Sequence, residues 1–294
     1  MERFEKIGIF LKNASTDEAV LAFAAQIGGQ GTRELICVHV LEGDGESTET
    51  EVNEAKLDAR VRAAMPGDIS DRVRIEIRRG HLLEQVLRCA RDEDLDLVII
   101  GRKLPSSQAG IGTLITKIVR KSPCSVLVVP ELCQPHFDRF LVAIDCSDHS
   151  REAMETAIAM ARSTSQTESQ LLALTIRTVS TGYDLAGVTF EESCAAQGEH
   201  GRKALESFMA NIDTQGLAVE SMVVISESPS RAITHVAMAR KMDMVVVGSR
   251  GATLAAAALL GSTSENLLMT CAMPTLMVKK KGETLHFLEA LFST

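Results

Sequence analysis

Two apolar runs that each end in glycine divide the chain into matching halves. DLDLVIIGR places Gly101, and MDMVVVGSR places Gly248, directly after a β-branched run, 147 residues apart in a chain of 294. Short β-branched runs without polar alternation are typical of strands buried on both faces of a parallel sheet. A repeat at half the chain length therefore predicts two copies of one domain, which agrees with the usual domain size of roughly 100 to 200 residues.

Each half repeats the same order of elements. The predicted pairs are a first strand (Lys6–Leu11; Phe140–Ile144), an Ala-rich helix (Asp17–Ile27; Arg151–Ala161), a second strand (Leu35–Leu41; Leu171–Val179) and a last strand (Ser125–Val129; Thr275–Val278). Strands and helices that alternate at this length predict α/β domains with a parallel sheet and right-handed crossovers. Two prolines in segment 130–136 are expected to interrupt pairing and to mark the domain boundary.

The segment that follows the second glycine strand, GSRGATLAAAALLGS from Gly248 to Ser262, predicts an anion site. Glycines let the backbone approach a ligand closely, and the amides and hydroxyls at a helix start favour phosphate. A flexible loop closed by an ordinary Ser/Thr N-cap is the alternative. The strand Phe140–Ile144 runs into Asp145, which by itself also suits a turn or capping residue. The strands that run into Asp145 and Gly248 are therefore expected to end at one crevice. Ligands of open α/β sheets bind in such a crevice, outside the carboxyl ends of the strands.

The spacing G-x2-G-x9-G-S of Gly248, Gly251, Gly261 and Ser262 resembles the ATP-binding signature of the universal stress protein family. Asp145 matches the family's aspartate at the end of the first strand. The resemblance covers nearly the whole chain. It implies two tandem Rossmann-like domains of the adenine nucleotide alpha hydrolase type, each an α/β unit with a five-stranded parallel sheet and helices on both faces. We expect the first domain at 1–132, the second at 137–282 and a C-terminal helical tail at 283–294.

Carried over position by position, the resemblance implies that ATP binds in the second domain, with or without Mg²⁺. Asp145 would accept hydrogen bonds from the adenosine moiety, and apolar residues beside it would form a wall for the adenine. The glycine loop and the helix start would line the ribose and phosphates, where Arg250 would assist charge neutrality or face solvent. The expected binding residues are Ala143, Ile144, Asp145, Ile176, Val247, Gly248, Arg250, Gly251, Gly261, Ser262, Thr263 and Ser264.

The N-terminal half departs from this signature. Leu104 stands in place of the second glycine, and the loop before Gly112 is two residues shorter. Asp145 is replaced by Leu11 when the following helix is aligned and by Lys12 when the strand is aligned. A Cβ and a shorter span should impair the phosphate cradle. We therefore expect a degenerate first site and one nucleotide per chain.

The sequence lacks the phosphate-loop, dinucleotide-loop, metal-ligand and nucleophile motifs of common enzymes, so efficient phosphoryl transfer has no evident machinery. The expectation is a stress-response module, regulatory or signalling, that is not a dedicated enzyme, with at most slow ATP hydrolysis or autophosphorylation. The alternative is a scaffold or chaperone-like protein that does not bind nucleotide and acts through an unknown protein partner.

Composition restricts the classes of binding partner and the cellular compartment that are expected for this chain. A net charge of −8 and 3% aromatic residues without Trp argue against nucleic-acid binding. No apolar run approaches the roughly 20 residues of a membrane span, and the N-terminus lacks signal-peptide features, so a cytoplasmic protein is expected. Seven cysteines without CxxC spacing suit a reducing compartment. The last strand of each half is predicted at a sheet edge, which favours a homodimer or an intramolecular pseudo-dimer through these strands.

Overall fold

The computed structural model describes residues 4–12, 15–29, 31–41, 54–103, 110–164, 169–179, 189–249 and 260–280, without the side chains of 110–113 and 164. The strands are β1 (Lys6–Leu11), β2 (Glu34–Leu41), β3 (Val73–Arg79), β4 (Leu97–Arg102), β5 (Ser125–Pro130), β6 (Arg139–Ala143), β7 (Gln170–Arg177), β8 (Val219–Ile225), β9 (Met244–Gly248) and β10 (Thr275–Val278). The helices are α1 (Asp17–Ile27), α2 (Glu54–Ala64), α3 (Gly67–Ser70), α4 (Leu82–Asp92), α5 (Gly110–Lys121), α6 (Asp148–Thr164), α7 (Phe190–Met209), α8 (Pro229–Ala239) and α9 (Ser262–Thr270).

All ten of these strands belong to one sheet in the order β3-β2-β1-β4-β5-β10-β9-β6-β7-β8. Every pairing within a half is parallel, and the two halves meet through the antiparallel pair of β5 and β10. The prediction of two α/β domains with five parallel strands each is confirmed. Because the central pair is antiparallel, the strands of the two domains run in opposite directions, and their carboxyl ends lie at opposite edges of the sheet.

Hydrogen bonds at the strand starts repeat between the halves. The Asp96 carboxylate accepts a hydrogen bond from the backbone N–H of Lys6 at 2.9 Å, and the Asp243 carboxylate accepts one from Arg139 at 2.8 Å. Asp96 directly precedes β4 and Asp243 directly precedes β9, so each hydrogen bond links the start of that strand to the start of the first strand of its half. The duplication therefore extends from element order to individual side-chain contacts.

Helices cover both faces of the sheet. Buried residues of α1, α2, α6 and α7 pack on one face, and those of α4, α5, α8 and α9 pack on the other. On the first face Phe137, 2% exposed, contacts Phe23 of α1 edge-on at 5.6 Å between ring centroids and Phe140 of β6 at 6.3 Å. This aromatic row joins the cores of the two domains, and burial of apolar area is the main stabilising contribution there.

Several predicted boundaries shift by a few residues. Strand β6 ends at Ala143 instead of Ile144, and α6 begins at Asp148, three residues before the predicted start. Strand β7 ends at Arg177, two residues before the predicted Val179. The predicted tail 283–294 lies outside the described residues.

The last strands of the two halves are not at a sheet edge. Strand β5 pairs with β4 and β10, and β10 pairs with β5 and β9, so both sides of both strands are hydrogen-bonded. Of the two predicted arrangements, the chain has the intramolecular pseudo-dimer. A homodimer through these strands is wrong for this fold, because neither strand has an open side, and the described edge strands are β3 and β8.

Candidate functional site

A cavity of about 370 Å³ opens at the carboxyl edge of the C-terminal half. Its walls are the ends of β6, β7 and β9, together with α7 and the starts of α6, α8 and α9. The lining residues are Ala143, Ile144, Asp145, Cys146, Ser150, Leu174, Thr175, Ile176, Arg177, Ala204, Pro229, Ile233, Val247, Gly248, Gly261, Ser262, Thr263 and Ser264. The volume falls within the range of about 300 to 1,000 Å³ that is usual for small-molecule sites.

Ten of the twelve sequence-predicted binding residues line this cavity. The other two, Arg250 and Gly251, lie outside the described residues, as does the rest of segment 250–259. Residues that are more than a hundred positions apart in the chain meet here because parallel strands bring their carboxyl ends to one edge. Their role toward a ligand stays a prediction.

Asp145 is an exposed residue in the tight turn between β6 and α6. Its Oδ1 accepts hydrogen bonds from the backbone N–H of Ser147 at 3.0 Å and from the Ser147 hydroxyl at 2.5 Å. Cys146 between them has a left-handed backbone with φ of 63°. The turn role that the sequence left open for Asp145 is therefore present, and Asp145 also lines the cavity.

The start of α9 forms another part of the cavity wall. The buried Ser264 hydroxyl donates to the Gly248 carbonyl at 3.0 Å, which ties the first turn of α9 to the end of β9. Gly261 is the N-cap residue and provides no side-chain cap. The first backbone N–H groups of a helix have no intrahelical acceptor, so this end of α9 carries partial positive charge.

Gly248 is glycine because of packing. A Cβ at this position would lie 2.9 Å from the backbone carbonyl of His149, in the first turn of α6. In the N-terminal half, a Cβ on Gly101 would lie 2.4 Å from the Cβ of Thr16. Both glycines therefore let the helix that follows the neighbouring first strand, α6 or α1, approach the sheet. The close ligand contact expected from the sequence is not needed to explain them.

Arg177, the last residue of β7, lines the cavity although the sequence did not predict it as a binding residue. Its guanidinium donates to the Gln197 side chain of α7 at 3.4 Å. A Cβ on Gly201 would lie 2.8 Å from the Arg177 side chain, so the glycine leaves room for it. The available sequence signal was that Arg177 directly follows Ile176, a predicted binding residue. Arg177 places a positive charge at the cavity, where Asp145 provides a negative one.

The thiol of Cys146 is exposed beside these two charges. Partial burial raises the pKa of Cys146, the carboxylate of Asp145 raises it further, and the guanidinium of Arg177 opposes the shift. The thiol form is therefore favoured at neutral pH.

The N-terminal half has different groups at the equivalent edge. The registers of β1 with β4 and of β6 with β9 match Ile7 to Phe140, which makes Lys12 the counterpart of Asp145 and removes Leu11 as the alternative. The backbone N–H of Lys12 donates to the carboxylate of Asp17 at 3.2 Å. A cation thus follows the first strand where the C-terminal half has an exposed carboxylate.

Asp17 and Arg60 form an ion pair at 2.9 Å, with the Asp17 side chain only 2% exposed. Next to them, the buried His39 has an Nδ1 atom without a hydrogen-bond partner among the described residues. Burial lowers the pKa of His39, the charge of Asp17 opposes the shift, and that of Arg60 adds to it. By strand register His39 corresponds to Thr175, which lines the cavity of the other half. The N-terminal half thus has bulkier and charged side chains at the edge that corresponds to the cavity of the C-terminal half.

Among the described residues, no group of three or more His, Cys, Asp or Glu side chains is arranged to hold a metal ion. In the same residues, no helix combines the length and the apolar character that a membrane span requires.

Comparison with known proteins identifies the repeated unit. The model of the universal stress protein family matches residues 3–130 and again 136–279. Universal stress protein YxiE of Bacillus subtilis is 29% identical over 149 residues, which are 49% of this chain and 99% of that protein. A universal stress protein of Thermus aquaticus is 28% identical over 144 residues, 49% of this chain and 99% of that protein.

Solved structures share the whole tandem fold. A universal stress protein from Archaeoglobus fulgidus has a TM-score of 0.66 at 17% identity and covers 94% of this chain and 98% of its own. A functionally unknown protein from Pseudomonas aeruginosa has a TM-score of 0.65 at 16% identity, with coverage of 99% and 98%. With both halves matched by the family model, the chain belongs to the universal stress protein family as a tandem two-domain member.

Proposed function

We propose that this chain binds ATP in its C-terminal domain and acts as a nucleotide-dependent regulatory module of the stress response. One observation carries the proposal: the cavity brings the Asp145 carboxylate and the start of α9 to a single site. A carboxylate suits the hydrogen-bond donors of an adenosine, and a helix N-terminus suits phosphate.

The adenosine end of the proposed site is apolar with one acidic group. Ala143, Ile144, Ile176 and Val247 line the cavity next to Asp145. Most small-molecule sites combine such a wall with a few orienting polar groups. The walls hold the purine, and the exposed carboxylate accepts hydrogen bonds from the sugar or base.

The phosphate end is the first turn of α9. The N–H groups of Ser262, Thr263 and Ser264 begin the helix without intrahelical acceptors, and the helix dipole adds positive charge. Arg177 adds a full positive charge from the neighbouring strand end. This arrangement favours a polyanion. We propose that Mg²⁺ enters bound to the nucleotide, without a protein ligand.

The proposed stoichiometry is one nucleotide per chain. In the N-terminal half Lys12 replaces the carboxylate, and the Asp17–Arg60 pair and His39 fill the corresponding edge. We propose that this half supports the other half and does not bind ATP itself.

We propose that bound ATP changes the stability of the chain or its affinity for a partner, and that the chain does not turn ATP over. A ligand that binds the folded chain stabilises it in proportion to the logarithm of its concentration over Kd. It changes the affinity for a partner only if it binds two conformations differently. ATP is therefore expected to raise the melting temperature and to remain chemically intact during the measurement.

Calorimetric titration of nucleotide-stripped protein with ATP and Mg²⁺ tests the proposal. About one equivalent per chain is expected, and Asp145→Ala should weaken binding at least about tenfold through loss of a charged hydrogen-bond acceptor. Gly261→Val should weaken it as well, because a branched side chain at the N-cap crowds the phosphate end. ADP and AMP, titrated in parallel, report how much of the affinity comes from the terminal phosphates.

Two control variants separate site effects from general charge effects. Asp148→Asn removes a carboxylate from the first turn of α6 that does not line the cavity. Lys12→Ala changes the counterpart of Asp145 in the other half. Both should bind ATP like the wild type. Absence of heat and of thermal stabilisation at millimolar ATP would reject the proposal and favour a scaffold that acts through protein contacts.

A further inference from the structure

Helix α9 belongs to the C-terminal domain, but its carboxyl end is held by the N-terminal domain. Its first turn lines the cavity of the C-terminal domain. At its other end, Arg102 of the N-terminal domain donates one guanidinium N–H to the carbonyl of Met269 at 2.9 Å and another to the carbonyl of Cys271. Arg102 is only 4% exposed, so this contact is buried where the two domains meet.

Without Arg102, the C-terminus of α9 would be poorly stabilised. The helix has nine residues, no basic residue in its own last turn and no side-chain cap at Gly261. Isolated helices of this length are marginal, and the last carbonyls of a helix have no intrahelical donors. A cation at this end satisfies those carbonyls and opposes the negative end of the dipole.

The pseudo-symmetric helix α5 has an equivalent cap from the other direction. The Lys279 ammonium, which follows β10, donates to the carbonyls of Arg120 at 3.0 Å and Ser122 at 2.7 Å. In both helices the acceptors are the residue before the last helical residue and the one after it. Each domain therefore caps the C-terminus of a helix that belongs to the other.

The two caps differ in how much their helix depends on them. Helix α5 carries Arg120 and Lys121 in its own last turn, whereas α9 carries no basic residue there. Lys279 is partly exposed, whereas Arg102 is buried. The position that corresponds to Arg102 in the C-terminal half is Ser249, whose short side chain cannot replace such a cap. Helix α9 therefore depends on the neighbouring domain more than α5 does.

Further contacts fix α9 along α5. Arg120 donates to both carboxylate oxygens of Glu265 in the first turn of α9, at 3.1 and 3.2 Å. The Thr116 hydroxyl lies 3.7 Å from the sulfur of Met269. The N-terminal domain therefore contacts α9 along its whole length, from the turn next to the cavity to the carbonyl end.

We propose that Arg102 is a positioning residue for the nucleotide site: the N-terminal domain, which has lost its own site, sets the ATP affinity of its neighbour by holding α9. The inference rests on the function proposed above. When α9 is held, its first amides stay directed to the phosphates. When the cap is removed, the helix frays from its carboxyl end and its first turn loses a fixed orientation. Linkage then requires that bound ATP in turn stabilises the contact between Arg102 and α9.

Amide hydrogen exchange and ATP titration of the full chain test this inference together. In Arg102→Met, amides of residues 265–271 should exchange about tenfold faster without ligand, and ATP affinity should fall about fivefold to tenfold. Arg102→Lys keeps the charge with fewer donors and should recover part of both losses. If Arg102→Met does not fold, the comparison of Arg102→Lys with the wild type replaces it.

Lys279→Met is the matched control. It removes the equivalent cap and should speed exchange at the end of α5 while ATP affinity stays within twofold of the wild-type value, on the order of experimental scatter. Unchanged exchange in α9 of the Arg102 variants would overturn the inference. Faster exchange in α9 with unaltered ATP affinity would overturn it too. A wild-type chain that binds no ATP would instead reject the proposed function, and the exchange data would still decide whether Arg102 holds α9.

Discussion

Gly248 and His149 pack so closely that a Cβ on the glycine would lie 2.9 Å from the histidine backbone. This contact sets the distance between β9 and the start of α6, two elements that border the cavity. A sequence signature for a ligand site thus contains a glycine that the fold requires by itself.

Substitution Gly248→Ala should therefore destabilise the protein by about 1 to 3 kcal/mol, because the added methyl group overpacks against backbone that cannot rotate away. Urea unfolding measures the change. Gly198→Ala in the middle of α7 is the control, since a Cβ there meets nothing within 4 Å. That control should be neutral or stabilise by about 0.5 to 1 kcal/mol. Equal stability losses in both variants would contradict the packing argument.

Phe137→Ala should cost about 3 to 5 kcal/mol, the usual range for a buried aromatic residue. The ring contacts Phe23 in one domain and Phe140 in the other, so the loss should lower the stability of both halves. Denaturation followed by circular dichroism gives the free energy of unfolding. Phe190→Ala, at a position that is 50% exposed, should change it by less than about 1 kcal/mol. A small effect at Phe137 would mean that the aromatic row does not join the cores.

Acid should destabilise the protein through His39. Burial lowers the pKa of His39 from 6.5, so the folded chain binds the proton less readily than the unfolded chain does. The free energy of unfolding should therefore decrease as the pH falls below about 6.5, down to the lowered pKa of the folded state. Urea titrations between about pH 5 and pH 8 measure the slope, and in His39→Thr this part of the slope should vanish. An identical pH profile in the variant would exclude His39 as its source.

Nucleotide should protect Cys146 from alkylation. The thiol is exposed at the cavity, and its raised pKa makes the reaction slow at neutral pH and faster in mild base. Mass spectrometry after maleimide treatment should show slower labelling of Cys146 with ATP and unchanged labelling of Cys194 in α7. Burial raises the pKa of Cys37 to about 12, so that thiol should stay unlabelled in the folded chain. Equal labelling of Cys146 with and without ATP would place the nucleotide elsewhere.

Sequence patterns predicted most of the fold because strand burial leaves a direct signal. The β-branched runs before Gly101 and Gly248 form the inner strands β4 and β9. The start of α6 was less visible, because Asp148, His149 and Ser150 are polar residues that suit a loop as well as a first helical turn.

Residues whose role depends on tertiary contacts could not be predicted. No motif around Arg102 indicates burial, yet it lies buried against carbonyls more than 160 positions away. Arg177 follows an apolar strand with no motif around it, and only the packing of three strand ends places it at the cavity. The choice between Leu11 and Lys12 as counterpart of Asp145 needed the strand register, which an alignment of two short segments does not contain.

The antiparallel pair of β5 and β10 has a consequence for how such a chain evolves. When two identical subunits associate through one strand, every substitution appears twice, so neither copy can lose its binding groups alone. A covalent tandem removes that restriction, because each half is encoded separately while the shared sheet still needs both. In this chain Lys12 stands at the position that corresponds to Asp145, so the two halves carry opposite charges at equivalent positions. The two halves therefore keep one fold and one continuous sheet, while the side chains at their carboxyl edges have diverged.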